Sequence, residues 1–177
     1  MAAARDDRFE ELFREHYPAV RAYALRRTSR DAAQDVVAET FLVVWRRLDE
    51  VPADALPWLY GVARRVLANQ RRGAQRGAAL TERIAGATSG AAGDDPGERA
   101  GDAELIRLAL GRLPEPSREA LMLVAWHGLS GARAARAAGC SRAAFAVRLH
   151  RARARLAAEL AALEPPTVST AESLEVI

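Results

Sequence analysis

Apolar residues recur at three- and four-residue spacing through Phe9 to Arg27, Asp31 to Leu48 and Pro57 to Gln75, and this pattern predicts three helices. Short breaks at "TSRD" and "DEVPADALP" separate them. On the second helix, Ala33, Val36, Val37, Thr40, Phe41, Val44 and Leu48 share one face. Asp31, Asp35, Glu39, Leu42 and Arg46 project from the other, with Trp45 at the border. On the third, Leu59, Val62, Ala63, Val66, Leu67 and Gln70 form the side expected to be buried. Arg64, Arg65, Arg71 and Arg72 cluster opposite them around Gly61 and Ala68, with Asn69 at the edge. Small residues among arginines would let a nucleic-acid backbone approach closely.

From 77 to 101 the chain turns to Gly, Ala, Ser and Asp with little periodicity, which predicts a flexible linker. A second helical block follows over 102–163, and the tail 164–177, with Pro165 and Pro166 near its start, is expected to be mobile. Within the block, one helix is expected near Ser117 to Trp126, a second in "SGARAARAAG" and a third in "CSRAAFAVRLHRARARLAAEL". Gly139 sits where the second should stop and can supply a left-handed residue, while Ser141 can cap the third. A short helix, a turn with glycine and a longer basic helix form the helix-turn-helix pattern, whose last helix enters the DNA major groove. The expected fold is all-α: a three-helix N-terminal domain (1–76) and a helix-turn-helix C-terminal domain, joined by the linker.

"RARAR" at 151–155 alternates like a strand, yet the segment is built of Ala, Leu and Arg, all strong helix formers. As a helix, Phe145, Leu149, Ala152, Leu156, Leu160 and Leu163 make one apolar stripe. Arg148, Arg151 and Arg155 then share a different face, and Arg142 and Arg153 lie near the stripe's other border. Like charges at these spacings repel by a few tenths of a kcal/mol per pair, and the helix has no carboxylate before Glu159. A polyanion would relieve that repulsion, although charge on a helix often serves only to solvate a face.

The net charge of +3 hides an uneven distribution. Residues 6 to 15 hold five Asp or Glu against two Arg, whereas Ala120 to Ala158 holds seven Arg and no Asp or Glu. Such polarity suggests two different partners, one a polyanion. All 26 basic residues are Arg, which removes phosphate-loop and Schiff-base lysine chemistry and makes position more telling than arginine number. The single Cys140 and the scattered His16, His127 and His150 suggest neither a disulfide nor a metal site. No cofactor is implied. Apolar runs such as "FLVVW" fall far short of the roughly 20 residues that span a bilayer, and the acidic start is unlike a secretion signal, so a cytoplasmic location is expected.

Three stretches, "FEELFREHYPAVRAYALRRT", "DAAQDVVAETFLVVWRRL" and "PWLYGVARRVLANQRR", resemble region two of the extracytoplasmic-function (ECF) sigma factors of bacterial RNA polymerase. "LGRLPEPSREALMLVAWHGLSGARAARAAGCSRAAFAVRLHRARARL" resembles their region four. The resemblance implies that Asp31, Asp35, Glu39, Leu42 and Trp45 bind the clamp helices of the polymerase core. It implies that Arg64, Arg65, Asn69, Arg71 and Arg72, with the preceding loop, engage and help melt the minus-ten element. A base expelled there needs a receptive pocket near that loop. Arg133, Arg136, Ser141, Arg142, Arg148, Arg151 and Arg155 would serve the minus-thirty-five duplex, with Arg142 and Arg148 as candidates for guanine edges. The linker would follow the RNA exit path. Family members are often held inactive by an anti-sigma factor, a further partner the resemblance implies.

Two departures stand out. Arg133 and Arg136 occupy positions that are commonly Glu in the family, and Ala134 and Ala138 stand where Ile and Leu are usual. Each large-to-Ala difference would cost about 2–5 kcal/mol of packing if nothing fills the space, so region four is expected to be marginally stable alone. A stand-alone helix-turn-helix regulator is the alternative function. An enzyme is disfavoured, for the chain has no paired carboxylates in a cleft-like context, no recognisable Ser/His/Asp grouping and no nucleotide loop.

Overall fold

The computed structural model describes residues 2–82 and 100–163. Seven helices follow in order: α1 (Ala2–Leu25), α2 (Arg30–Arg46), α3 (Ala55–Glu82), α4 (Ala100–Arg112), α5 (Glu115–Ala125), α6 (Gly131–Ala138) and α7 (Arg142–Leu163). One 3-10 turn, Leu48–Glu50, leads from α2 towards α3. The described residues contain no strand. The all-α expectation holds, and "RARAR" lies inside α7.

Helix α1 begins well before Phe9, because "AAAR" consists of strong helix formers. Helix α3 continues past Arg76 to Glu82, so the first part of the expected linker is helical. The remainder, 83–99, and the tail 164–177 lie outside the described residues. Local signals act as the residue types dictate. Gly139 adopts φ +65°, and the N–H groups of Gly139 and Cys140 donate to the carbonyls of Arg136 and Ala135, closing α6 in a Schellman turn. The Ser141 hydroxyl accepts from the Ala144 N–H at 3.1 Å and caps α7.

Every residue assigned to the apolar face of α2 is buried. It packs on Val20, Tyr23 and Ala24 of α1 and on Leu59, Val62, Ala63, Val66 and Leu67 of α3. The core does not stop at α3. Leu123, Leu129, Phe145 and four alanines of α6 (Ala134, Ala135, Ala137 and Ala138) belong to the same buried cluster, so α6 is packed on α3. A smaller cluster of Leu113, Leu121 and Ala152 ties α4, α5 and α7 together. The alanines of α6 are therefore not empty space: they let two helices approach closely. A Cβ placed on Gly61 would lie 3.6 Å from the carbonyl oxygen of Ala137. At Gly61 the close approach that small residues permit is made by α6.

Candidate nucleic-acid interface

The expected basic residues of α3 divide into two groups. Arg64 and Arg71 turn towards α5. The Arg64 Nε donates to Glu119 of α5 at 3.1 Å, and Arg71 pairs with Glu115 at 3.3 Å while donating to the carbonyl of Arg27. Arg65 and Arg72 are exposed, and Arg72 donates to the neighbouring Asn69. Arg65, Arg46, Arg47, Asn69 and Glu39 rim a groove between α2 and α3 lined by Val43, Val62 and Val66. The loop before α3 borders a different groove, lined by Glu11, Glu15, Asp54, Arg8 and Arg133. Both grooves have apolar walls, that at the loop from Leu12, Pro52, Ala53 and Leu56, but cations dominate the rim of the one between α2 and α3, whereas Glu11, Glu15 and Asp54 answer the arginines at the loop.

Glu119 is the centre of the contact between the regions. It is only 5% exposed, yet both its oxygens have partners: Arg64 on one and the Tyr23 hydroxyl, donating at 3.0 Å, on the other. A buried carboxylate without such donors would be costly. Tyr23 stacks on Tyr60 with ring centroids 4.8 Å apart, and the Arg27 guanidinium lies 3.6 Å above the Tyr23 ring. Burial raises the Tyr23 hydroxyl's pKa and lowers that of Arg27. His127, from the turn after α5, sits against both tyrosine rings with Nδ1 3.2 Å from the Tyr60 hydroxyl. Burial, reinforced by Arg27 and Arg26, lowers its pKa to about 4, so this imidazole is neutral at pH 7.

Arg133 and Arg136, assigned from sequence to the duplex-reading surface, both reach Asp54 in the loop before α3. Arg133 grips it with two bonds, at 2.7 and 3.1 Å, and Arg136 adds a third. The Arg133 bond is the leading favourable contribution holding the Asp54 carboxyl below its usual range. Arg133 and Arg136 thus match an aspartate in the loop before α3. Asp54, Glu115 and Glu119 were not singled out from sequence, because their partners lie tens of residues away.

On α7 the arrangement is the reverse. Arg142, Arg151, Arg153 and Arg155 are exposed, Arg148 is half-buried, and among the described residues none of the five has a carboxylate partner. Ser141 is at the head of the same helix, its hydroxyl oxygen occupied by the cap. Asp31, Asp35 and Glu39 are exposed on α2 beside Leu42 and Trp45, which are 46% and 38% exposed. Trp45 packs edge-on against Phe9, and Arg5 donates to its carbonyl at 2.9 Å. Sequence reasoning missed that Phe13 and Tyr17 of α1 extend this surface, both exposed and both in ring contact with Phe41. Their four-residue spacing after Phe9 was the available signal.

Among the described residues no group of three or more His, Cys, Asp or Glu could hold a metal, and no helix is long and apolar enough to cross a membrane.

Residues 12–77 match the family described as Sigma-70 region 2, and 103–156 match Sigma-70, region 4. The ECF RNA polymerase sigma factor EcfG of Rhodopseudomonas palustris is 34% identical over 147 residues, 81% of this chain and 80% of that protein. The ECF sigma factor SigL of Mycobacterium tuberculosis is 32% identical over 154 residues, 84% of this chain and 86% of that one. Among solved structures, the sigma factor RpoE in complex with the anti-sigma factor NepR from Bartonella quintana aligns with a TM-score of 0.69. It is 28% identical, covering 89% of this chain and 98% of that one. CnrH in complex with the cytosolic domain of CnrY aligns at 0.62, also 28% identical, covering 88% and 89%.

Proposed function

The chain belongs to the ECF sigma factors of RNA polymerase, and we propose that its two arginine-bearing helices divide promoter recognition between them in sequence. It is a transcription initiation factor rather than an enzyme, and its partners are the polymerase core and promoter DNA. We take 1–76 as region two, 102–163 as region four, 77–101 as the connection and 164–177 as a tail. Its place of work is the cytoplasm, with the polymerase.

In this reading Asp31, Asp35, Glu39, Leu42 and Trp45 dock on the core, with Phe13 and Tyr17 at the rim of the same surface. Arg142, Arg148, Arg151 and Arg155 hold the minus-thirty-five duplex, and Ser141 fixes the start of the reading helix. Arg64, Arg65, Asn69, Arg71 and Arg72 engage the minus-ten element, and the groove under Arg65 and Asn69 receives a base leaving the stack. Arg133 and Arg136 act first on Asp54. The single observation that carries this division is that α7 has five arginines without a carboxylate partner among the described residues, while Arg64 and Arg71 are paired to region four. Strand opening by α3 therefore requires the two regions to part. An anti-sigma factor, like the NepR bound in the RpoE structure, is a further partner we propose.

Reconstitution tests the reading. Purified protein added to core polymerase is expected to give promoter-specific transcripts that core alone does not. Tight binding to duplex without binding to core would instead make the chain a stand-alone helix-turn-helix regulator.

A further inference from the structure

Helix α7 has an outward face that its arginines do not occupy. Opposite the buried stripe of Phe145 and Ala152, the most outward positions are Ala143, Val147, His150 and Ala154, all exposed. Arg148 and Arg155 flank this ridge on one side, and Arg142 and Arg153 on the other. Val147 is 51% exposed, the most exposed large apolar side chain among the described residues. A β-branched residue is a poorer helix former than alanine, and at a half-exposed position packing returns little of that loss. The hydrogen-bonding alternatives are few. Between Arg142 and Arg155 the helix has no Asn, Gln, Asp or Glu, and the Ser141 hydroxyl oxygen accepts from Ala144.

Resting on the reading of α7 as the duplex-reading helix, we propose that Val147, with Ala143 beside it one turn earlier, determines sequence by apolar contact with the 5-methyl group of thymine in the major groove. Charge complementarity fixes the occupant. An apolar ridge with cations along both edges matches a groove floor between two phosphate walls, and thymine alone among the bases presents a methyl group there. The flanking arginines hold the helix in the groove; Val147 and Ala143 sort the pairs beneath it.

The test uses the holoenzyme assembled from the full chain and core, with a minus-thirty-five duplex selected from a randomised pool. Each thymine is replaced in turn by deoxyuridine, which deletes only the methyl group. Burying one methyl is worth about 0.8 kcal/mol, so the wild type is expected to lose roughly fourfold in affinity at one position and to keep its affinity elsewhere. Val147→Ala, which favours the helix, should bind thymine and deoxyuridine alike at that position, while Arg151→Ala should bind more weakly overall yet keep the fourfold preference. The proposal is overturned if Val147→Ala retains the wild-type preference or if no position responds to methyl removal. Failure of the holoenzyme to select any minus-thirty-five duplex would instead sink the reading of α7 on which the proposal rests.

Discussion

The two basic surfaces are made of one side-chain type on one kind of element, yet they stand in different states: α3 leaves Arg65 and Arg72 exposed but has Arg64 and Arg71 paired, whereas α7 has no arginine paired to a carboxylate among the described residues. Arg64 and Arg71 of α3 are held by Glu119 and Glu115, and Arg133 and Arg136 of α6 by Asp54. The arginines of α7 meet no carboxylate among the described residues. What separates them is the facing element. Helix α3 faces α5 and α6, which bring carboxylates and small residues, whereas the outer side of α7 faces none of the other helices. A basic face reads nucleic acid only if the rest of the chain leaves it free.

That contrast breaks most readily at Glu119. Glu119→Ala leaves the Tyr23 hydroxyl buried without a partner and frees Arg64, a loss of about 1–3 kcal/mol from the joined arrangement. The distance between labels on the two regions should lengthen, and single-stranded minus-ten DNA should bind roughly 10- to 100-fold more tightly. An unchanged distance would show that the alanine seam alone holds the regions together.

Acid acts in the same direction. With the regions joined, His127 titrates near 4 instead of 6.5, so the separated state binds more protons between those values. The joined state is fully favoured above pH 6.5 and weakens as pH falls towards 4. The two rings it sits against, Tyr23 and Tyr60, have raised pKa values and do not titrate in this window. One unit of protonation linkage is about 1.4 kcal/mol, so at pH 5.5 the joined state should lose about tenfold. A label distance that does not change between pH 7.5 and 5.5 in the wild type would contradict this, and His127→Phe should remove the dependence.

Asp54→Ala should do less. Asp54 is more than a third exposed, and pairs of that kind contribute less than about 1 kcal/mol. A few-fold shift towards the separated state, shrinking as salt rises, is expected in the same label measurement. A shift as large as that of Glu119→Ala would make Asp54 the main fastening.

Much of this fold was legible because short-range rules govern it. The stripe of α2, the stripe of α7, the glycine that ends α6 and the serine that caps α7 all follow from periodicity or from residues within one turn. The state of the candidate site was not legible in the same way. Gly61 and Ala68 among arginines fit close approach equally well by a phosphate backbone or by an alanine-faced helix, and only the three-dimensional arrangement puts Ala137 against Gly61. Arg64 and Glu119 are 55 residues apart, and Arg136 and Asp54 are 82 apart, separations at which a pairing leaves no local pattern. The alanines that suggested a weak region four are the residues that let it pack on region two.

The smallest effect tests the free side of the contrast. Arg151 is exposed on α7, so Arg151→Ala should leave the label distance unchanged. If its guanidinium neutralises one phosphate, removing it releases one counterion fewer, and the slope of log affinity against log salt should flatten by about 0.9. Across a fourfold rise in salt that amounts to about a threefold difference between wild type and variant, measurable by titrating minus-thirty-five duplex at 50 and 200 mM. Arg64→Ala gives the opposite signature: a longer label distance and an unchanged duplex slope, because its charge is already answered by Glu119. If both variants flattened the slope equally, the two surfaces would be touching duplex together, and the order of engagement inferred from their pairing would be lost.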